Sequence, residues 1–346
     1  MNKTAIVAAC LAIGSIGLVT GGVSAGYAQA DRPVPDKSAP EKIDATILHA
    51  QVILDHLGFS PGVLDGKPGQ SLTAALKGFQ ESRGIKRSGT LDTPTMNALR
   101  AYRAMRPVRE LRLTAEGLAG PFVDPLPKLA ADQAKLPALG YRNPLEKLAE
   151  MFHTTPAVLI ALNSPQTRLV PGTVVRFPNA LPSSRSYDTK LPDHWRKTLS
   201  SLNVDARQPV GVKIVVDKSD QVLRVLDAQG KLVAQFQATM GSTRDPLPIG
   251  TWKMQGASYN PEFHYNPDLF WDVKDSVKDA LLPPGPNGPV GVIWLDLSKP
   301  HYGIHGTPEP STIGRAASHG CIRLTNWDAA RLSLMIKPGT PAIFQE

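Results

Sequence analysis

The sequence predicts a multidomain protein, in which a small three-helix domain and a small α/β module precede a mainly-β, sandwich-like domain at the C-terminal end. Three observations predict this order. The chain has 346 residues, more than one ordinary domain requires. Two stretches rich in proline and charge, 106–139 and 180–208, are typical of linkers. From residue 209 onward, short apolar runs of strand length alternate with turn residues.

Residues 1–30 have the pattern of a cleaved export signal. Lys3 supplies the positive start, the apolar run AIVAACLAIGSIGLV follows, and no further charge occurs before Asp31. Ala28-Gln29-Ala30 has the small-x-small pattern at which signal peptidase cuts. We therefore expect export to the periplasm or cell envelope, with cleavage after Ala30.

Two alternatives remain for this segment. The uncharged run is about long enough to span a bilayer, so it could be a retained membrane anchor. Cys10 could also be a lipidation site, but the apolar segment before it is too short for that. The glycines of the run and the Ala-Gln-Ala site favour cleavage.

Residues 31–42 form a proline-rich, charged leader, and 43–105 a domain of three helices. Apolar residues recur at helical spacing in two stretches, and each stretch predicts a helix. The first contains Ala50, Ile53, Leu54 and Leu57, and the second contains Leu72, Ala75, Leu76 and Phe79. Thr93 as N-cap and Pro94 at the first helical position predict a third helix, with Met96 and Leu99 facing inward.

After the linker 106–139, residues 140–179 predict a strand, two short helices and a second strand. Asn143, Pro144 and Glu146 form a capping box, and Thr155 and Pro156 repeat the helix-start signal. The first helix presents an apolar face made by Leu145, Leu148, Ala149 and Phe152.

The linker 180–208 leads into the mainly-β domain at 209–346. The runs VKIVVD, VLRVLD, LVAQFQATMG, GTWKMQG, PVGVIWLDL and YGIHG each predict a strand. A short helix starts near Asn326, with Trp327, Ala330 and Leu334 facing inward, and TPAIF is the last strand. A small sandwich or barrel accommodates this pattern.

Cys321 is the candidate nucleophile. The sequence has two cysteines, and removal of residues 1–30 leaves Cys321 alone, so no internal disulfide can form. A buried, inert thiol is the structural alternative. Acyl transfer by cysteine needs a thiolate, a base and hydrogen-bond donors for the oxyanion. The histidines near Cys321 in sequence are His305 and His319.

His305 is the better candidate for the base. It follows the strand-like run 302–304 and precedes Gly306, so it can lie on a strand beside Cys321, with 307–317 as the returning loop. An imidazolium close to the sulfur would lower the pKa of the thiol.

His319 points to the same face of an extended chain as Cys321, but contact between the two is strained because only Gly320 separates them. Gly320 allows the backbone to approach a substrate and leaves amides to bind an oxyanion.

The segment HGTPEPSTIGRAASHGCIRL resembles the signature of the YkuD-type L,D-transpeptidase catalytic domain, a β-sandwich-like fold, and the resemblance covers 211–345. It implies that Cys321 is the nucleophile and that His305 is the proton donor and acceptor, oriented by the backbone carbonyl of Gly306. Supporting or substrate-binding roles are implied for Ser318, His319, Gly320 and Arg323. Many family members carry Asn where this chain has Arg323, which bears on substrate choice.

The upstream modules resemble usual companions of this domain. LGFSPGVLDGKPGQSLTAALKGFQESRGI and SGTLDTPTMNAL resemble a three-helix peptidoglycan-binding domain, and the segment that ends in VPGTVVRFPN resembles a LysM-like glycan-binding module. The alternative for the first is an unrelated three-helix bundle that binds nothing.

The resemblance implies a two-step reaction on peptidoglycan stem peptides. Cys321 attacks the diaminopimelate carbonyl of a tetrapeptide stem, D-Ala leaves, and the thioester passes to an acceptor. A second stem, a lipoprotein lysine and water are all open as acceptors, and water would make the enzyme an L,D-carboxypeptidase. Carbapenem-type inhibitors are expected to acylate the same thiol. No cofactor and no metal are expected.

Other functions compete with this interpretation. His301, His305, His319 and Cys321 could ligate zinc, although their spacing matches no common zinc signature. Cysteine endopeptidases of the cell wall place cysteine before histidine, the reverse of the order here. A wall-binding protein without activity is the non-enzymatic alternative. The net charge of +8, which falls to +7 without Lys3, suits an anionic polymer. Export argues against nucleic acid as that polymer.

Overall fold

The computed structural model describes residues 6–7, 42–266, 278–316, 318 and 320–346. The predicted signal peptide (apart from the backbone of Ile6–Val7), the predicted leader up to residue 41, and His319 lie outside the described residues. In the part of the chain that is described, no helix has the length and apolar character needed to cross a bilayer.

The bounds of the elements are as follows. The helices are α1 Ala45–His56, α2 Gln70–Ser82, α3 Thr93–Leu99, α4 Ala115–Leu118, α5 Ala130–Gln133, α6 Pro144–Met151, α7 Pro156–Leu162, α8 Asp193–Ser201 and α9 Asn326–Met335. The strands are β1 Ile6–Val7, β2 Phe59–Ser60, β3 Val108–Arg112, β4 Val174–Pro178, β5 Lys213–Asp217, β6 Val222–Leu226, β7 Leu232–Gln237, β8 Thr239–Met240, β9 Gly250–Tyr259, β10 Phe263–Tyr265, β11 Ala280–Leu282, β12 Ile293–Leu297, β13 Gly303–His305, β14 Ile322–Arg323 and β15 Pro341–Gln345.

The mainly-β C-terminal domain is confirmed. Within the described residues, ten strands form one continuous sheet in the order β2-β7-β6-β5-β15-β9-β12-β13-β14-β8. Strand β9 joins two halves, because 250–253 pair with β15 and 254–259 pair with β12. One apolar cluster contains buried side chains from both halves, among them Phe236 and Ile304. The sheet therefore folds over a shared core, as expected for a sandwich.

The three-helix domain is also confirmed, with one difference at its third helix. Asp92, not Thr93, is the N-cap, and its carboxylate accepts hydrogen bonds from the backbone N and hydroxyl of Thr95 at 3.0 and 2.6 Å. The earlier cap buries Thr95 and leaves Met96 42% exposed, while Leu99 faces the core as predicted. A carboxylate outcompetes the adjacent hydroxyl as cap because its charge strengthens the bonds to the first turn.

The prediction of a linker over 106–139 is wrong. Strand β3 pairs antiparallel with β4, so the first strand of the α/β module begins well before residue 140. Leu139 is buried beside Trp294 of the C-terminal domain, and its N–H donates to the Pro284 carbonyl at 2.9 Å. The apolar residues of this segment stand singly between prolines and charges, so no periodicity shows that they pair with distant strands.

The prediction of a linker over 180–208 is wrong as well. This segment contains α8, whose Trp195 and Leu199 are buried in the core of the C-terminal domain together with Leu202 and Val204. The Trp195 ring stacks on Tyr259 of β9 at a centroid distance of 4.7 Å. The C-terminal domain thus begins before residue 209.

The upstream domains dock on the C-terminal domain. Strand β2 adds to the sheet edge by parallel pairing with β7. The Ser60 hydroxyl donates to Asp328 at 2.7 Å, and Arg331 binds both the carbonyl and the carboxylate of Asp55. His153 of the α/β module bonds the same Asp55 at 3.0 Å and stacks on Trp327. All three parts of the described chain therefore meet at helix α9.

Candidate active site

His305 lies at the end of β13, in the middle of the second half of the sheet. It is 4% exposed. It stands opposite Trp294 of β12 on one side and opposite Arg323 of β14 on the other. The Trp294 ring stacks on the imidazole with centroids 5.5 Å apart and planes inclined by 16°. The aromatic contact and the strand pairing fix the plane of the imidazole.

The tautomer of His305 follows from one hydrogen bond. Its Nδ1 lies 2.7 Å from the carbonyl oxygen of Gly306. A carbonyl only accepts, so Nδ1 carries the proton and Nε2 holds the free lone pair of the neutral ring. In this tautomer, Nε2 is the ring nitrogen that can accept a proton.

Cys321 directly precedes β14, the strand that runs parallel to β13 with Ile304 opposite Ile322. Its side chain is partly buried and contacts the apolar cluster that contains Trp294. The sulfur also lies 3.8 Å from the carbonyl oxygen of His301. Trp294, a member of that cluster, also stacks on His305. The candidate nucleophile and the candidate base therefore lie on neighbouring strands beside the same apolar cluster.

Ser318 lies in the turn that leads to Cys321, and its predicted contact with substrate stays a prediction. It is 3% exposed, and its hydroxyl donates to the Cys321 carbonyl at 2.7 Å. The same hydroxyl accepts from the N–H of Gly241 at 2.6 Å, and the Ser318 N–H donates to the Gly241 carbonyl. Ser318 therefore ties the cysteine turn, residues 318–321, to Gly241, the residue that follows β8.

Gly320 is required by the conformation of the turn. Its φ of +97° lies in the left-handed region that favours glycine. A Cβ at this position would lie 2.8 Å from Cε1 of Tyr302, so any side chain would displace the Tyr302 ring. The ring of Tyr302 therefore covers the glycine that precedes the nucleophile. His319, on its other side, lies outside the described residues.

Arg323 is partly buried beside the site. Burial lowers its pKa below the ordinary value, while Cys321 and Glu309 act in the opposite direction. Among the described residues, no atom accepts a hydrogen bond from its buried Nε. Arg315, a second basic residue in the segment that leads to Cys321, is exposed.

Several residues at the site were not identified from the sequence. Trp294, Tyr302 and Gly241 lie on three different segments, and only the register of β8, β12 and β14 brings them to Cys321. Asn326, buried beneath Gly306, was predicted only as a helix start. No local pattern marks these positions, because each depends on pairing between distant strands.

Comparisons with known proteins match two segments of the chain to protein families. The family described as "L,D-transpeptidase catalytic domain" (YkuD) matches residues 211–344, and the family of the peptidoglycan binding domain matches 44–99. A Bacillus licheniformis protein named L,D-transpeptidase YkuD is 56% identical over 57 residues, or 16% of this chain and 34% of that protein. The matched stretch thus spans about a third of that relative's length.

One more relative and one solved structure were matched. A Fuscovulum blasticum protein, named an L,D-transpeptidase in the ATP synthase subunits region, is 46% identical over 146 residues, or 42% of this chain and 72% of that protein. Among solved structures, L,D-transpeptidase 3 from Mycobacterium tuberculosis, in complex with a faropenem-derived adduct, superposes with a TM-score of 0.32 at 18% identity. That superposition covers 39% of this chain and 60% of the other.

Proposed function

The chain belongs to the L,D-transpeptidase family, and we propose that it is an exported enzyme that uses Cys321 to transfer acyl groups of peptidoglycan stem peptides. The observation that carries this proposal is the tautomer of His305, whose Nδ1 is bound to the Gly306 carbonyl at 2.7 Å on the strand beside Cys321. That bond leaves Nε2 to exchange protons with the sulfur and with the reacting amines.

In the first half-reaction, Nε2 of His305 accepts the thiol proton and the Cys321 thiolate attacks the diaminopimelate carbonyl carbon. A carbon–sulfur bond forms, the carbon–nitrogen bond to the terminal D-Ala breaks, and the proton on Nε2 passes to the leaving amine. The products are a thioester on Cys321 and free D-Ala. Backbone amides of the Gly320 turn are proposed to bind the oxyanion in this step.

In the second half-reaction, an acceptor amine attacks the thioester and gives its proton to Nε2, and the thiolate leaves. A stem-peptide amine as acceptor gives a cross-link, and a lipoprotein lysine gives a covalent anchor. Arg323 is proposed to bind a carboxylate of the stem peptide, because its buried Nε has no acceptor among the described residues.

The upstream domains are proposed to hold the enzyme on the wall. The three-helix domain matches the peptidoglycan binding family over 44–99. The α/β module has a pocket of about 610 Å³. Its basic lining residues are Arg106, which precedes β3, Arg109 of β3 and Arg176 of β4, and its other lining residues are Val108, Glu110 and Leu162. Three guanidinium groups suit an anionic wall polymer in the periplasm.

The test uses purified full-length protein, tetrapeptide stems and a carbapenem. We expect release of D-Ala and a covalent carbapenem adduct on the Cys321 peptide by mass spectrometry. Cys321→Ala should lose both and still sediment with wall sacculi. An adduct that persists in Cys321→Ala, or cleavage inside the stem, would refute the proposal. Muropeptide analysis after incubation with sacculi separates cross-linking from trimming.

A further inference from the structure

Asn326, the first residue of α9, lies directly beneath the peptide that orients His305. It is fully buried. A Cβ at Gly291 or at Gly306 would lie 1.9 or 2.0 Å from its Oδ1, so the amide oxygen contacts both backbones. Only glycine at these two positions leaves room for the Asn326 side chain.

The Gly306 peptide needs such support. Its carbonyl accepts the His305 Nδ1 proton at 2.7 Å, but its own N–H reaches the Ile293 carbonyl only at 3.4 Å. A bond of that length is weak and does not fix the peptide plane. The contact with Asn326 therefore limits how far the Gly306 carbonyl, and with it the imidazole, can move.

Asn326 is itself held from two sides. Its Oδ1 accepts from the Val292 N–H at 3.2 Å, and its Nδ2 donates to the Pro286 carbonyl at 3.1 Å and to Oε1 of Glu150 at 2.8 Å. The shortest of these bonds is the one to Glu150, which belongs to helix α6 of the α/β module. Glu150 is buried and also hydrogen-bonded to the Tyr141 hydroxyl.

We propose that Asn326 is a positioning residue for His305, acting through Gly306, and that Glu150 of the upstream module holds Asn326 in place. The α/β module thereby helps to hold the active site in place, in addition to its proposed role in binding the cell wall. The inference rests on the proposed thiol chemistry, since its effect is exerted through the imidazole that serves Cys321.

The experiment measures alkylation of Cys321 by iodoacetamide between pH 5 and 10 in full-length protein, with peptide mass spectrometry to separate Cys321 from Cys10. Asn326→Ala should move the midpoint of the pH–rate profile upward by about 0.5 unit or more, because a displaced imidazolium stabilises the thiolate less. Acylation by a carbapenem should slow by about tenfold or more. Glu150→Ala should shift both readouts in the same direction, by less.

Rescue and control variants separate positioning from loss of stability. Glu150→Gln restores the acceptor that Glu150→Ala removes, because the Gln side-chain oxygen can accept from Nδ2 of Asn326, and the rate should stay within about threefold of the wild type. Ser60→Ala is the matched control, since it removes a bond to α9 at Asp328 without touching Asn326. It should lower the melting temperature and leave the pH midpoint unchanged.

The outcomes are distinct. If Asn326→Ala folds and keeps the wild-type midpoint and rate, the inference is overturned. If Asn326→Ala does not fold, Glu150→Ala decides, and a profile equal to that of Ser60→Ala overturns the inference. His305→Ala should give the largest upward shift of the midpoint of the pH–rate profile. If it leaves the wild-type profile unchanged, the proposed function fails, and the role of Asn326 fails with it.

Discussion

At the scale of single residues, the site depends on groups whose conformations are fixed before substrate binds. The imidazole of His305 lies between the Trp294 ring and the Gly306 carbonyl. The cysteine turn is tied by the Ser318 hydroxyl to Gly241 and to the Cys321 carbonyl. Preorganisation of this kind removes the cost of arranging a nucleophile and a base at the moment of reaction.

Gly320→Ala should strongly impair the enzyme. The new methyl group would meet the Tyr302 ring at 2.8 Å in a backbone conformation with φ of +97°. We expect carbapenem acylation of Cys321 to slow by about tenfold or more. We also expect the free energy of unfolding to fall by about 1–3 kcal/mol.

Gly62→Ala is its matched control, because Gly62 also has positive φ (+72°) but no heavy atom within 4 Å of a Cβ. Acylation kinetics and urea unfolding measure both variants. Gly62→Ala should lose stability only. Equal acylation rates in the two variants would contradict the assignment of Gly320 to the site.

At the scale of elements, helix α8 belongs to the catalytic domain and not to a linker. Trp195→Ala should lower the free energy of unfolding by about 3–5 kcal/mol, because it removes a fully buried indole that stacks on Tyr259. Lys197→Ala, on the exposed side of the same helix, should change it by less than about 0.5 kcal/mol. Urea unfolding measures both variants. If Trp195→Ala also changes the free energy of unfolding by less than about 0.5 kcal/mol, residues 180–208 are a linker after all.

At the scale of the whole molecule, a buried ionic cluster joins the three parts of the chain. Asp55 of the first domain bonds His153 of the α/β module and Arg331 of α9. Burial by itself would raise the pKa of Asp55, but the Arg331 guanidinium and the contact with His153 outweigh it and hold that pKa well below its usual value. The domains are therefore expected to unfold together.

Arg331→Met tests this junction. It leaves the Asp55 carboxylate buried without its guanidinium partner, and we expect a loss of about 3–5 kcal/mol in the free energy of unfolding. Arg87→Met removes a pair with Asp220 at the surface between the same domains and should cost at most about 1 kcal/mol. Calorimetry should show one transition for the wild type and a lower one for Arg331→Met. Equal melting temperatures for the two variants would exclude a stabilising junction at Asp55.

The pH dependence of stability reports on Glu150. Burial raises the pKa of Glu150 from 4.5 to about 7. The folded state then binds this proton more tightly than the unfolded state, so the group's contribution to stability decreases as the pH rises from about 4.5 to about 7. Glu150→Gln removes this dependence and should be more stable than the wild type at pH 8 by up to about 3 kcal/mol.

At pH 4 the two proteins should unfold with the same free energy. Burial also raises the pKa of Asp328, to about 6, but Asp328 is present in both proteins and cancels in the comparison. Urea unfolding at the two pH values measures the difference. A stability gap that does not change with pH would show that Glu150 is ionised in the folded state.

The sequence by itself determined the domain order, the helices of the first domain and the residues that carry the proposed chemistry, because these depend on local periodicity and on one short motif. His305, Gly320 and Cys321 all lie within that motif. The tertiary structure alone decided that 106–139 and 180–208 are packed parts of domains, that Trp294 stacks on His305, and that Asn326 contacts both Gly306 and Glu150. Strand register and domain docking join residues far apart in sequence, and no local pattern encodes which distant partner will fill a given contact.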